Sequence, residues 1–142
     1  MYAGEVSAGI LTAGDKSYML VVGEAPWNST NTATLIYDFL EDVWLIGAPR
    51  QFVGNHHASE VIGNKMYLFG GLTTGNHTIQ IASLVEADQG VDVVWETGAD
   101  LPVPSGSGSS VLIDDMVRSG AGPTQAHLTC DLDWHCAPWC LF

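Results

Sequence analysis

Lys65-Met66-Tyr67-Leu68-Phe69-Gly70-Gly71 is the stretch on which the fold turns. Its apolar and aromatic residues suit a pleated strand packed in a core. The double glycine that ends it permits an unusual backbone turn and a close approach of the neighbouring chain. Working outward, Gly63-Asn64 is turn chemistry, with both residue types able to take a positive φ. Before that turn lies a second β-rich run, 57–62, and after the glycines come two more, 78–85 and 91–97. The pattern predicts four short antiparallel strands and no helix.

The chain also matches itself without gaps. Trp44 aligns with Trp95, Gly47-Ala48 with Gly98-Ala99, Ser59 with Ser110, Ile62 with Ile113, and Gly71 with Gly122, an offset of 51 residues. A first set of strands is expected at 6–12, 17–23, 33–39 and 43–47. A period near 50 residues belongs to a supersecondary unit that buries its apolar faces only by stacking on another copy, as propeller blades do.

With these landmarks in place, the chain resembles the Kelch-repeat family. The 65–71 stretch is similar to the strand and double glycine of that repeat. Tyr37 and, seven positions on, Trp44 resemble its spaced Tyr and Trp, and Arg50 and His57 resemble the lead-in to the next repeat. The resemblance covers residues 6–117 and departs from the pattern at Gly23-Glu24 and at Asp88. It implies an all-β chain of Kelch-type β-propeller blades, each a four-stranded antiparallel sheet. The Kelch-repeat region is 1–122, with blade one at 6–48, blade two at 56–99 and a partial blade three at 108–122. Kelch propellers close with about five to seven blades, so the propeller is incomplete and the chain is expected to be a fragment of a larger one. Further blades in cis, or self-association, are then needed to cover its open faces. Tyr37, Trp44, His57, Gly70, Gly71 and Trp95 are expected to be structural, the rings filling the wedge between blades.

The pattern breaks after Val117, where Arg118-Ser119-Gly120 occupies the slots of Tyr67-Leu68-Phe69. Residues 123–142 hold Cys130, Cys136 and Cys140 and two of the five Trp, and are read as a tail outside the propeller. His127, Cys130, His135, Cys136 and Cys140 are metal-ligand types, but only one Cys-x3-Cys unit, Cys136 and Cys140, stands beside an unmatched Cys130 where structural zinc uses paired units, so no metal is assigned. One disulfide with a spare thiol is the other reading of these cysteines, and a shifted frame or alternative exon explains the break itself.

Composition restricts the partners. Four Lys+Arg against 16 Asp+Glu give a net charge of −12, which excludes nucleic acid and an anionic membrane surface. No apolar run is long enough to insert in a bilayer, and the first residues do not form a signal peptide. The sequons at Asn28 and Asn76 mark candidate glycosylation sites and favour a secreted or extracellular location.

Catalytic patterns are not assembled. The run 104–110 is glycine-rich without the Gly-Lys-Ser/Thr of a phosphate loop, and no Gly-x-Ser-x-Gly elbow occurs. Alternate connections of an up-and-down blade emerge on one face, so loops 24–31 and 72–77 share it with links 49–55 and 100–108. Binding residues concentrate on such loops. Trp27, Arg50, Asn55 and His56 are therefore the candidate ligand contacts. The expected function is a non-catalytic protein- or glycan-binding module with no cofactor. The alternatives are a fragment of a galactose-oxidase-like carbohydrate oxidase, or a truncated product with no function of its own. The oxidase resemblance implies a Tyr–Cys crosslink, and no cysteine precedes Cys130.

Overall fold

The computed structural model describes residues 6–23, 32–72, 77–88, 90–104, 106–120, 127–131, 133 and 135–139. Among them every regular element is a strand, and no helix is long and apolar enough to cross a membrane. Sheet 1 comprises β1 (Ser7–Ala13), β2 (Lys16–Val22), β3 (Thr34–Asp38) and β4 (Val43–Gly47). Sheet 2 comprises β5 (Ala58–Ile62), β6 (Lys65–Phe69), β7 (Thr78–Ala87) and β8 (Gly90–Asp100). Sheet 3 comprises β9 (Ser109–Ile113), β10 (Met116–Gly120), β11 (His127–Asp131) and β12 (Cys136–Trp139). All pairings are antiparallel, and each strand pairs with its neighbours in sequence. Tight turns at Gly14-Asp15, Gly63-Asn64 and Asp114-Asp115 close the three leading hairpins.

The third sheet changes the reading of the C-terminal segment. Residues 123–142 were set outside the fold on composition, yet β11 and β12 extend β9–β10 to a full sheet. Arg118 is compatible with strand β10 because it lies on the exposed face, while Val117 and Ser119 on either side are buried. A strand needs apolar residues only on the face it buries. Cys130 is buried and disulfide-bonded.

The sheets stack through two cores on either side of sheet 2. Alternate residues of sheet 1, among them Leu11, Leu20 and Ile36, pack on Met66, Leu68, Ala82 and Val93 of sheet 2. The opposite face of sheet 2 packs Phe69, Ile79 and Ile81 with Val117 of sheet 3. Burying each such side chain contributes about 1.5–3 kcal/mol relative to exposure. The stack is keyed by polar contacts along the first strands. Asn64 clamps the Thr12 backbone from both sides, accepting from its N–H at 2.7 Å and donating to its carbonyl at 2.8 Å. This satisfies an edge strand whose free groups would otherwise invite pairing. Ser7 Oγ donates to the His57 carbonyl at 3.3 Å and Ser110 Oγ to the Ser59 carbonyl at 3.0 Å.

The other face of sheet 1 is a surprise for its composition. Ile10, Met19, Tyr37 and Trp44 stand directly across from one another on the four strands. Ala8, Val21, Leu35 and Ile46 form the next rung. Ile10 is 61% exposed, Trp44 54% and Ile46 79%. Trp44 was expected inside a wedge between blades. Its counterpart Trp95 does reach the preceding sheet, donating its indole N–H to the Ala48 carbonyl at 3.1 Å. Trp44 instead tilts against Tyr37 on a face that no sheet covers among the described residues, and the Tyr37 hydroxyl donates to Asp42.

Candidate binding cleft at the sheet junction

The segment that links β4 to β5 brings most of the singled-out residues together. Arg50 anchors it: its backbone N–H donates to the Thr32 carbonyl at 2.9 Å and its guanidinium donates to the Gly54 carbonyl at 3.0 Å. Guanidinium Nη1 also lies 3.3 Å from His57 Nε2. Arginine stays charged, so His57 accepts that contact as a neutral imidazole with its proton on Nδ1. Burial, then the Arg50 charge, then His56, push the His57 pKa down to about 3. Its Nδ1 meets no hydrogen-bond partner among the described residues.

The double glycine explains itself here. Gly71 has φ +121°, and a Cβ at this position would lie 2.9 Å from the His57 ring and 3.1 Å from the Asn55 carbonyl. That carbonyl accepts from Leu72 N–H at 2.9 Å, so the strand end and the link close on each other. Asn55 presents its side-chain oxygen to His56 Nδ1 at 2.8 Å. His56 has φ 55°, a conformation that costs a non-glycine residue about 1 kcal/mol or more. Its carbonyl accepts from Ser107 N–H at 3.0 Å, tying the link before β5 to the link before β9. Leu101 N–H likewise donates to the His77 carbonyl. The described ends of loop 72–77 and the links 49–55 and 100–108 thus do gather on one side of the stack.

Placement differs from expectation at two candidates. Arg50 and Asn55 were expected to meet a ligand; both are buried, Asn55 to 1% exposure, because the link folds back over them. His56 is half-buried and lies at the surface of the same turn. Trp27, Asn28 and Asn76 lie outside the described residues.

Beside this junction the starts of β1, β5 and β9 enclose a cleft of about 310 Å³ lined by residues 6–8, 57–59 and 108–110. Its side chains include Ser7, Ser59, Ser109, Ser110 and His57, and none of the described residues that line it carries an acidic or basic side chain other than that imidazole. Ser7 and Ser110 spend their protons on carbonyls across the sheets, leaving oxygen lone pairs as acceptors. The cleft suits a neutral ligand rich in hydroxyl or amide groups. These serines were not singled out as contacts from sequence. The match of Ser59 with Ser110 was the available signal, and it reads equally as a repeat landmark. A larger recess of about 480 Å³ lies at the outer strands, lined by Leu45, Ile46, Ala87, Asp88, Val91 and Asp92. Asp92 there accepts from Ala48 N–H at 2.8 Å, a bond between sheets. Among the described residues no group of three metal-ligand side chains converges.

A scan against protein-family models finds no match, and a search of curated proteins finds none.

Proposed function

We propose that the chain is a non-catalytic binding module of Kelch type, its sheets the blades of a propeller and its ligand a neutral glycan or protein segment. The observation that supports this reading is the hydroxyl-lined cleft, without a carboxylate, ammonium or guanidinium among its described residues, where three successive first strands converge beside the inter-sheet links. Rigid strands position the cleft and loops surround it, which is the usual division of labour in binding folds. The charge of −12 turns anionic ligands away and leaves neutral or cationic ones.

The test is a binding screen with immobilised neutral oligosaccharides, anionic oligosaccharides and uncharged peptides. A neutral ligand is expected to bind, and Ser109→Ala in the cleft to weaken it about tenfold, the loss of one well-placed polar contact. The melting temperature of that variant should stay within a few degrees of the parent, since Ser109 is exposed. Binding confined to anionic ligands, or full affinity in Ser109→Ala, would sink the proposal.

A further inference from the structure

The outer edge of β4 is open and apolar, and we propose that it pairs with an extended, basic segment of a partner protein, which adds a further strand to sheet 1.

β4 is the last strand of sheet 1, and among the described residues no backbone group bonds to its far side. An edge of unpaired N–H and C=O groups is a template for another strand, and proteins usually blunt it with charged side chains. Sheet 2 follows that rule, since its own last strand, β8, carries Asp92, Glu96 and Asp100. Sheet 1 departs from it: Val43-Trp44-Leu45-Ile46-Gly47 has no charge. The 51-residue offset locates the change. Val43 and Trp44 match Val94 and Trp95, but Leu45 and Ile46 stand where sheet 2 has Glu96 and Thr97. Those two polar residues are engaged within the chain, Glu96 with Lys65 at 3.1 Å and Thr97 with Gln51. Ile46 is instead 79% exposed.

A recess runs along this edge. Leu45 and Ile46 both line the cavity of about 480 Å³ at the outer strands. Successive strand residues point to opposite faces, so a cavity that touches both lies against the edge of the strand. Its far wall is the β7–β8 hairpin, with Ala87, Val91 and the carboxylates of Asp88 and Asp92. The bond from Ala48 N–H to Asp92 closes the slot beyond the C-terminal end of β4. An added strand sends alternate side chains to each face, so one set enters the recess. A lysine or arginine in that set lays its alkyl stem on the apolar wall and brings its cation to the two carboxylates. In such additions backbone pairing supplies affinity and the side-chain pockets supply specificity. A second copy of the chain suits the edge poorly. Pairing β4 with β4 about a twofold axis draws two acidic β7–β8 hairpins together, in chains that each carry −12.

Fluorescence anisotropy of labelled synthetic peptides, titrated with the full chain, tests the proposal. The probes are a peptide alternating valine with lysine, its glutamate counterpart, and the lysine peptide N-methylated throughout its backbone. The last keeps the charge and loses the N–H donors. The lysine peptide is expected to bind at least about tenfold more tightly than the other two. Ile46→Thr removes apolar surface from the new pair and should weaken it about tenfold. Threonine is a good strand former and the position is exposed, so far-UV circular dichroism should show the strands retained. Amide hydrogen exchange within 43–47 should slow when the lysine peptide is bound. Equal binding of the N-methylated peptide overturns strand pairing, and equal binding of the glutamate peptide overturns the basic partner. Full affinity in Ile46→Thr, or unchanged exchange at 43–47, overturns the placement on β4. A dimer in sedimentation that Ile46→Thr disperses overturns it in favour of a second copy. None of these readouts involves the hydroxyl-lined cleft, so the functional reading stands or falls separately.

Discussion

His57 is neutral because it is buried beside a guanidinium, and that has a thermodynamic signature. Its folded pKa of about 3 lies below the ordinary histidine value of 6.5. The unfolded chain therefore binds one more proton than the folded chain between those two values. Stability supplied by this site is fully present above pH 6.5 and is lost as pH falls toward 3, at up to about 1.4 kcal/mol per pH unit. Urea denaturation from pH 4 to 8 should show this slope in the parent chain, and a shallower one in His57→Gln. Equal slopes would mean that the imidazole protonates without hindrance in the folded state. The same residues show what sequence conveys at this scale. Arg50, Asn55 and His57 stood out as polar residues at a junction, but polarity does not say which way a side chain faces. Arg50 is internal because the Gly54 carbonyl and His57 reward a turn back over it, and that closure depends on Gly71, distant in sequence.

At the scale of elements, the strands of sheets 1 and 2 were legible because turn residues punctuate apolar runs of the right length. Gly14-Asp15 and Gly63-Asn64 fix two hairpins almost to the residue. Trp44 and Trp95 were legible as equivalent, but their difference in burial was not, since it depends on whether a sheet stands in front of each. Strands β11 and β12 escaped because their composition departs from the repeat, while backbone pairing, which is indifferent to side chains, carries the sheet onward. This segment has a disulfide at Cys130, and the His135 backbone N–H donates to Asp131 at its turn. The backbone bond from His135 holds the Asp131 carboxyl below its ordinary value. Reduction is thus expected to loosen sheet 3 and leave the first two sheets intact. Hydrogen exchange with and without dithiothreitol would locate the change: faster exchange in 109–139, little in 7–47. Uniform exchange across the chain would show that the disulfide supports no particular sheet.

For the molecule as a whole, 16 acidic side chains against four bases make self-repulsion a general tax on compactness. The ion pair of Lys65 with Glu96, at 3.1 Å and solvent-exposed, offsets little of it. Raising ionic strength from about 10 mM to 0.5 M shortens the screening length to a few ångströms and should raise the melting temperature by several degrees. A flat or falling response in differential scanning calorimetry would place the carboxylates too far apart to interact.

The order of strands within each sheet also bears on how the chain is made. Since every strand pairs only with its neighbours along the chain, about forty residues suffice to complete a sheet. Sheet 1 can close while sheet 3 is still being synthesised, and the search for partners stays local at every stage. An all-β protein of this design is spared the slow, distant pairings that delay sandwiches and barrels, and its nascent sheets can be laid down one upon the next in the order in which they leave the ribosome.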